Sequence, residues 1–131
     1  MKDFQIGDTV RAHYNSGTYI GKIVEDRGDR MLVEVLAVVK HPLQGDIHNY
    51  NQVEGVFFHE RKALAFHEKA NIKKPAIHLF EGEIPSYGAS LKKAVEEAKQ
   101  KLSEKDTAFN RLALEKIQDL EKAYYLRQYE L

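Results

Sequence analysis

The sequence predicts an α+β fold: a small SH3-like β-barrel of about five strands over residues 1–80, then a C-terminal α-helical hairpin over residues 86–131. Three observations predict it. Seven of the eight glycines precede residue 85, so turn-forming freedom is concentrated in the first part of the chain. That part alternates β-branched and aromatic runs with turn clusters. The last third instead repeats apolar residues at helical spacing.

The strands are justified in chain order. Ile6-Gly7-Asp8 reads as a turn into a strand over residues 9–14, with Val10, Ala12 and Tyr14 on one face. Asn15-Ser16-Gly17 carries turn chemistry, after which residues 19–24 resume the extended pattern. Arg27-Gly28-Asp29 turns into residues 31–39, a run too β-branched for a helix and too long for an unbent strand. A bend of the kind found at barrel corners is expected there. After Pro42 the chain is polar to about Asn51, and residues 53–58 form another expected strand. Residues 59–68 fit either helical turns or a tight hairpin returning through Ala63 to Ala70. The hairpin is preferred, because a fifth strand lets a small sheet close and hide its edges. Residues 71–85, with Pro75 and Pro85, read as a connector.

Two helices follow. Leu91, Ala94, Val95, Ala98 and Leu102 form one apolar stripe, opposed by Lys92, Lys93, Glu96, Glu97 and Lys99. Ser86 is the expected N-cap. Ser103 to Asp106 matches the S-x-x-D capping pattern and marks the break between the helices. The second helix is expected to bury Phe109, Leu112 or Ala113, Ile117, Leu120 and Tyr124. Two helices of this length do not hold themselves folded, so their stripes must pack on each other and on the β-part or a partner.

Composition removes whole classes of function. With 43% hydrophobic and 31% charged residues, the chain is an ordinary globular protein. It has no cysteine, which excludes disulfides, thiolate metal sites, cysteine nucleophiles and lipid attachment through a thioether. No stretch approaches the roughly 20 apolar residues that cross a bilayer. The N-terminal run MKDFQIGDTV lacks an apolar signal core, so a cytoplasmic location is expected. Net charge is zero, and neither half departs from neutrality by more than one charge, which leaves no broad basic field for nucleic acid.

The densest polar motif is H-P-L-Q-G-D-I-H-N, residues 41–49. His41, Asp46 and His48 offer two imidazoles and a carboxylate of the kind that bind zinc or serve in hydrolysis. Their spacing is no known metal signature, and a loop shaped by Pro42 and Gly45 accounts for the same letters. His59-Glu60 begins an H-E-x-x-H pattern, but Ala63 stands where the second histidine belongs. Phosphate loops and serine-hydrolase elbows are absent. Among the C-terminal tyrosines Tyr124, Tyr125 and Tyr129, the first two cannot share one helical seam, since neighbours point about 100° apart. One of them is expected at the surface or against the β-part; packing onto the barrel accounts for these tyrosines as well as an interface, which tyrosine also suits.

The blocks G-D-T-V-R-A-H-Y, S-G-T-Y-I-G-K-I, H-P-L-Q-G-D-I-H-N, F-F-H-E-R-K-A-L-A-F-H-E-K-A-N-I and L-S-E-K-D-T-A-F run through nearly the whole chain. In them the sequence resembles the kinase-associated protein B family of Bacillus-type bacteria, also called kinase-associated lipoprotein B. The resemblance implies a role in sporulation, in which a membrane sensor histidine kinase feeds the phosphorelay. It brings no catalytic residues, so none are assigned. The lipoprotein label does not fit a chain without cysteine. All six histidines precede the helices, which disfavours a phosphorelay carrier, and the element order denies a receiver-type parallel sheet.

The reading that remains is a non-catalytic accessory or adaptor protein, without cofactor or metal, that binds a protein partner and is linked to a sensor histidine kinase. Its location is then cytoplasmic, at the inner face of the membrane where a partner holds it there. The expected contact patch is the loop bearing His41, Pro42, Gln44, Gly45, Asp46, His48 and Asn49 with the strand end Phe57, Phe58 and His59. Tyr124, Tyr125 and Tyr129 form a second patch. One alternative is a nucleic-acid-binding barrel using Lys22, Arg27, Arg30, Arg61 and Lys62. The other is a metallohydrolase centred on His41, Asp46 and His48.

Overall fold

The computed structural model describes residues 3–45 and 58–131. Five antiparallel strands, β1 (Thr9–Tyr14), β2 (Gly17–Asp26), β3 (Arg30–Lys40), β4 (Lys69–Lys73) and β5 (Ile77–Leu79), form one sheet in the order β4-β3-β2-β1-β5. Helix α1 (Tyr87–Ser103) and helix α2 (Ala108–Leu120) follow. This is the expected barrel-like sheet with a helical hairpin behind it.

Local chemistry explains the first strands. Asn15 and Ser16 both adopt positive φ, 46° and 65°, which makes a two-residue mirror-image turn whose twist matches that of the strands it joins. Tyr14 therefore pairs with Gly17, and the register runs back to Thr9 opposite Lys22. Between β2 and β3 the register shifts three times, after Thr18, Ile20 and Ile23. Each shift inserts a bulge and bends the ribbon, the expected behaviour of an 11-residue strand in a small barrel.

The bend divides the core. Val10 and Ala12 of β1, Ile23 of β2, Met31 and Val33 of β3, Ala70 and Ile72 of β4 and Ile77 of β5 share one buried cluster, which curls the sheet around its own side chains. Beyond the bulges, Tyr19, Val35 and Val38 instead join Leu91, Ala94 and Val95 of α1, Ile117 and Leu120 of α2 and Tyr125 in a second cluster. Each valine, leucine, isoleucine or methionine among them, fully buried, contributes about 1.5–3 kcal/mol of hydrophobic transfer free energy. One long strand thus serves the barrel with one half and the helices with the other.

Three expectations are corrected. Residues 59–65 form neither a helix nor a tight hairpin; they run without regular secondary structure to a turn at Phe66-His67. The closing strand is β5, inside the stretch read as a connector, and it pairs with β1 through Val10–Leu79, Arg11–His78 and Ala12–Ile77. Pro75, within the 3-10 turn Lys74–Ala76, reverses the chain between β4 and β5 rather than ending the sheet. The expected strand over 53–58 lies outside the described residues except for Phe58, which is in no regular element.

The helices begin and end close to the expected positions. Ser86 caps α1, its side chain accepting from the Ala89 amide. The break falls at 104–106, but the cap of α2 is Thr107, which accepts from the Asn110 amide, while Ser103 Oγ donates back to the Lys99 carbonyl. After Leu120 the helix continues through a π-helical turn, Glu121–Tyr125, into a last turn, Leu126–Gln128. Among the described residues no helix is long and apolar enough to cross a membrane.

Candidate interaction surface

His41 and Gln44 of the polar motif point inward. They are 2% and 4% exposed. His41 Nδ1 lies 2.8 Å from the Pro42 carbonyl, which only accepts, so Nδ1 carries the proton and donates. Nε2 is then an acceptor, and Tyr125 Oη donates to it across 2.8 Å. The same hydroxyl accepts from the Ala63 amide at 2.9 Å, which completes a directional chain from Ala63 through Tyr125 and His41 to Pro42. Burial pushes the imidazole down to about 4, against a smaller opposing effect of the Pro42 carbonyl. His41 is therefore neutral at pH 7 with both nitrogens bonded.

Gln44 works in the same way on the neighbouring segment. Its Oε1 accepts from the Arg61 amide at 2.9 Å and its Nε2 donates to the Arg61 carbonyl at 2.8 Å. Arg61 replies by donating its guanidinium to the carbonyls of Leu43 and Gly45. Gly45, at φ +93°, sits where a Cβ would come within 2.8 Å of the Phe109 ring and 3.0 Å of the Phe58 ring. Only glycine fits there.

Tyrosine hydroxyls hold the rest of the irregular segment. Tyr19 accepts from the Leu64 amide at 3.2 Å, and Tyr87 donates to the Leu64 carbonyl at 2.6 Å. Burial raises all three phenols above their ordinary value, Tyr19 to about 12, so their protons stay in place. Residues 61–64 thus find on side chains the partners that a strand neighbour would supply, which is why they need not enter the sheet.

The outward face of this assembly is the candidate surface. Phe58 is half-buried against Phe109, ring centroids 5.3 Å apart, and His59 and Glu60 are exposed. Lys62 places its ammonium 4.1 Å from the centre of the Tyr124 ring, a cation–π contact that joins the two expected patches into one. Consecutive tyrosines divide as expected, but the assignment is the reverse of the one read from α-helical spacing. Tyr124 is 45% exposed and Tyr125 is the buried one, because the π-helical turn Glu121–Tyr125 shifts the inward position by one residue. Tyr129 lies elsewhere: its hydroxyl donates to Glu121 at 2.6 Å, and Lys99 holds the other carboxylate oxygen of Glu121 at 2.5 Å.

Of the residues expected to meet a partner, His59 and Tyr124 are thus outward and Phe58 is half-buried. His41, Pro42, Gln44, Gly45 and Tyr125 are buried and shape the surface from beneath. Asp46, His48, Asn49 and Phe57 lie outside the described residues. The cations weighed for nucleic acid have local partners at three positions: Arg27 with Glu25 and Asn71, Arg61 with loop carbonyls, Lys62 with Tyr124. Lys62 as a participant in the surface was not foreseen, because nothing in the sequence pairs it with a tyrosine 62 positions later.

A second feature escaped the sequence altogether. A cavity of about 600 Å³ opens between the end of β3, the loop after it, the C-terminal half of α1 and the start of α2. Leu43, Ala98, Leu102 and Phe109 contribute apolar walls, and Arg11, Lys40, Lys101 and Lys105 stand around it. Residues drawn from so many separated segments leave no local sequence signal.

The model of the family described as "Kinase associated protein B" matches residues 14–125, which includes the whole described surface. The chain belongs to the kinase-associated protein B family. Kinase-associated lipoprotein B of Bacillus subtilis is 40% identical over 127 residues, which cover 97% of this chain and 99% of the relative. The crystal structure of kinase-associated protein B from Bacillus cereus aligns with a TM-score of 0.79 at 39% identity, over 93% of this chain and 98% of that one. The family's names describe association with a kinase and no catalytic activity. Among the described residues, no group of three or more histidines and carboxylates is placed to hold a metal.

Proposed function

We propose that this protein is a non-catalytic accessory factor that supports sensor histidine kinase signalling into the sporulation phosphorelay and acts by binding a protein. The observation that carries the reading is membership of a family named for kinase association, over 112 residues of the chain. The motif letters support it from another side. His41, Gln44 and Gly45 build a rigid platform rather than a reactive centre, with each polar atom of His41 and Gln44 already bonded inside the protein. A platform of this kind presents Phe58, His59, Lys62 and Tyr124 at low conformational cost.

The partner is the cytoplasmic part of a membrane sensor histidine kinase, and the contact surface is the one built on the platform. The test is affinity capture of the tagged full chain from sporulating cells, scored for a sensor kinase by mass spectrometry, with the triple variant Phe58→Ser, His59→Ala, Tyr124→Ser in parallel. Wild-type chain is expected to retain a kinase and to restore spore counts in a deletion strain, and the variant to lose both. Absence of any sensor kinase from the wild-type eluate overturns the reading. Retention of the kinase by the variant overturns the choice of surface.

A further inference from the structure

The cavity between β3 and the helical hairpin carries a positive charge that is not neutralised among the described residues around it. Arg11, Lys40, Lys101 and Lys105 are all exposed around it, and none makes an ion pair among the described residues. Two acids share the rim. Glu97 is paired with Lys93 one helical turn away, at 4.0 Å, so among the described lining residues Glu104 is the remaining acid beside four cations. The walls between them are apolar: Leu43, Ala98 and Leu102 are half-buried and turn methyl groups into the opening, over the buried ring of Phe109. A volume of about 600 Å³ lies within the range of specific binding sites. An apolar floor under a cationic rim fits a chain that carries apolar anchors flanked by carboxylates.

The geometry points to this groove as the docking site for an acidic, apolar-anchored segment of the partner protein. The inference rests on the accessory-binding reading for its biological setting and goes beyond it in naming a second surface, which adjoins the platform through Leu43 and Phe109, and the chemistry of what it takes. Charge complementarity decides the occupant: long-range attraction to the four cations orients the segment, and two or three apolar side chains then enter the opening. Nucleic acid would meet the same cations, but of the rings that line the opening among the described residues Phe109 is 3% exposed and His41 2%, and neither offers a face for base stacking.

The experiment uses the full chain and a fluorescein-labelled synthetic peptide of repeated Leu-Leu-Glu-Glu, read by fluorescence anisotropy at low salt. A counterpart with lysine in place of every glutamate and a labelled oligo-dT strand are run beside it. Saturable binding of the acidic peptide is expected, weaker by at least about tenfold for the lysine counterpart and for oligo-dT. The double variant Lys101→Glu, Lys105→Glu and the single variant Ala98→Trp, which fills the floor, are each expected to bind the acidic peptide at least about tenfold more weakly while melting like the wild type. Both lysines are exposed, so the charge-reversed chain keeps its fold and serves as the decisive variant if Ala98→Trp does not. No saturation, equal binding of the lysine counterpart, preference for oligo-dT, or unchanged binding by the charge-reversed chain overturns the inference. Kinase capture is scored separately: a chain that captures the kinase but ignores the acidic peptide loses the groove and keeps the proposed function, and the opposite result loses the function and keeps the groove.

Discussion

Tyr125 follows Leu120 by five residues, and both are buried on one face of the same helix, because Glu121–Tyr125 winds as a π-helical turn. An α-helix would bring the residue four positions on, Tyr124, to that face. The extra residue per turn instead sends Tyr125 inward to His41 and Ala63 and leaves Tyr124 outside against Lys62. Deleting Ala123 restores α-helical spacing between Leu120 and the inward tyrosine. The deletion is expected to keep the fold and its melting temperature, yet to displace Tyr124 from Lys62 and weaken kinase capture. A melting curve together with the capture assay checks both halves of that expectation, and a collapse of the fold would refute it.

The Tyr125 hydroxyl ties the C-terminal helix by hydrogen bonds to both the motif loop and the irregular segment. Tyr125→Phe leaves the Ala63 amide and His41 Nε2 buried without a partner. The expected loss is between about 1 and 3 kcal/mol per unsatisfied group, reduced by whatever relaxation the site allows. Urea denaturation should show a lower midpoint with an unchanged slope, the sign of a stability loss without a change in the surface exposed on unfolding.

His41 makes the fold sensitive to acid. Its folded-state value is depressed to about 4 from 6.5, so the unfolded chain binds a proton more readily than the native one as pH falls. The stability this histidine confers is complete above about pH 6.5 and is lost progressively between there and pH 4. The lowering corresponds to roughly 2 kcal/mol between pH 7 and pH 5. Urea midpoints at the two pH values, compared with those of His41→Gln, which cannot titrate, isolate this contribution. A variant whose stability falls with acid as steeply as the wild type would show that His41 is not its source.

Gly45 is required twice, by its positive φ and by the two rings that enclose it. Gly45→Ala should destabilise by more than about 1 kcal/mol, since strain in the left-handed region adds to the displacement of Phe109. The control is Gly28→Ala: φ there is +86° but nothing lies within 4 Å of the added methyl, so only the backbone cost remains. Thermal melts of the two variants measure the difference, and equal losses would mean that the Phe58–Phe109 enclosure contributes nothing.

Much of the architecture was legible in the letters because it depends on neighbours in sequence. The turn at Asn15-Ser16, the alternation through Val10, Ala12 and Tyr14, the Ser86 cap and the stripe from Leu91 onward are local, and each appears where its pattern places it. The segment after Phe58 was misread because its backbone is satisfied by Gln44, Tyr19, Tyr87 and Tyr125, which lie far away along the chain. β5 was missed for a related reason: three residues beside a proline acquire strand character only when β1 lies next to them.

By itself the sequence determined the class of fold, the order of its parts, the family, and the distinctness of the motif around His41. Tertiary structure decided which way that motif faces, which tyrosine is outward, and that four dispersed cations surround one apolar opening. The physical reason is range. Periodicity, capping and turn chemistry act over a few residues and leave a written pattern. The direction of a polar side chain is set by which distant donor or acceptor comes to meet it, and that is known only once the chain has folded.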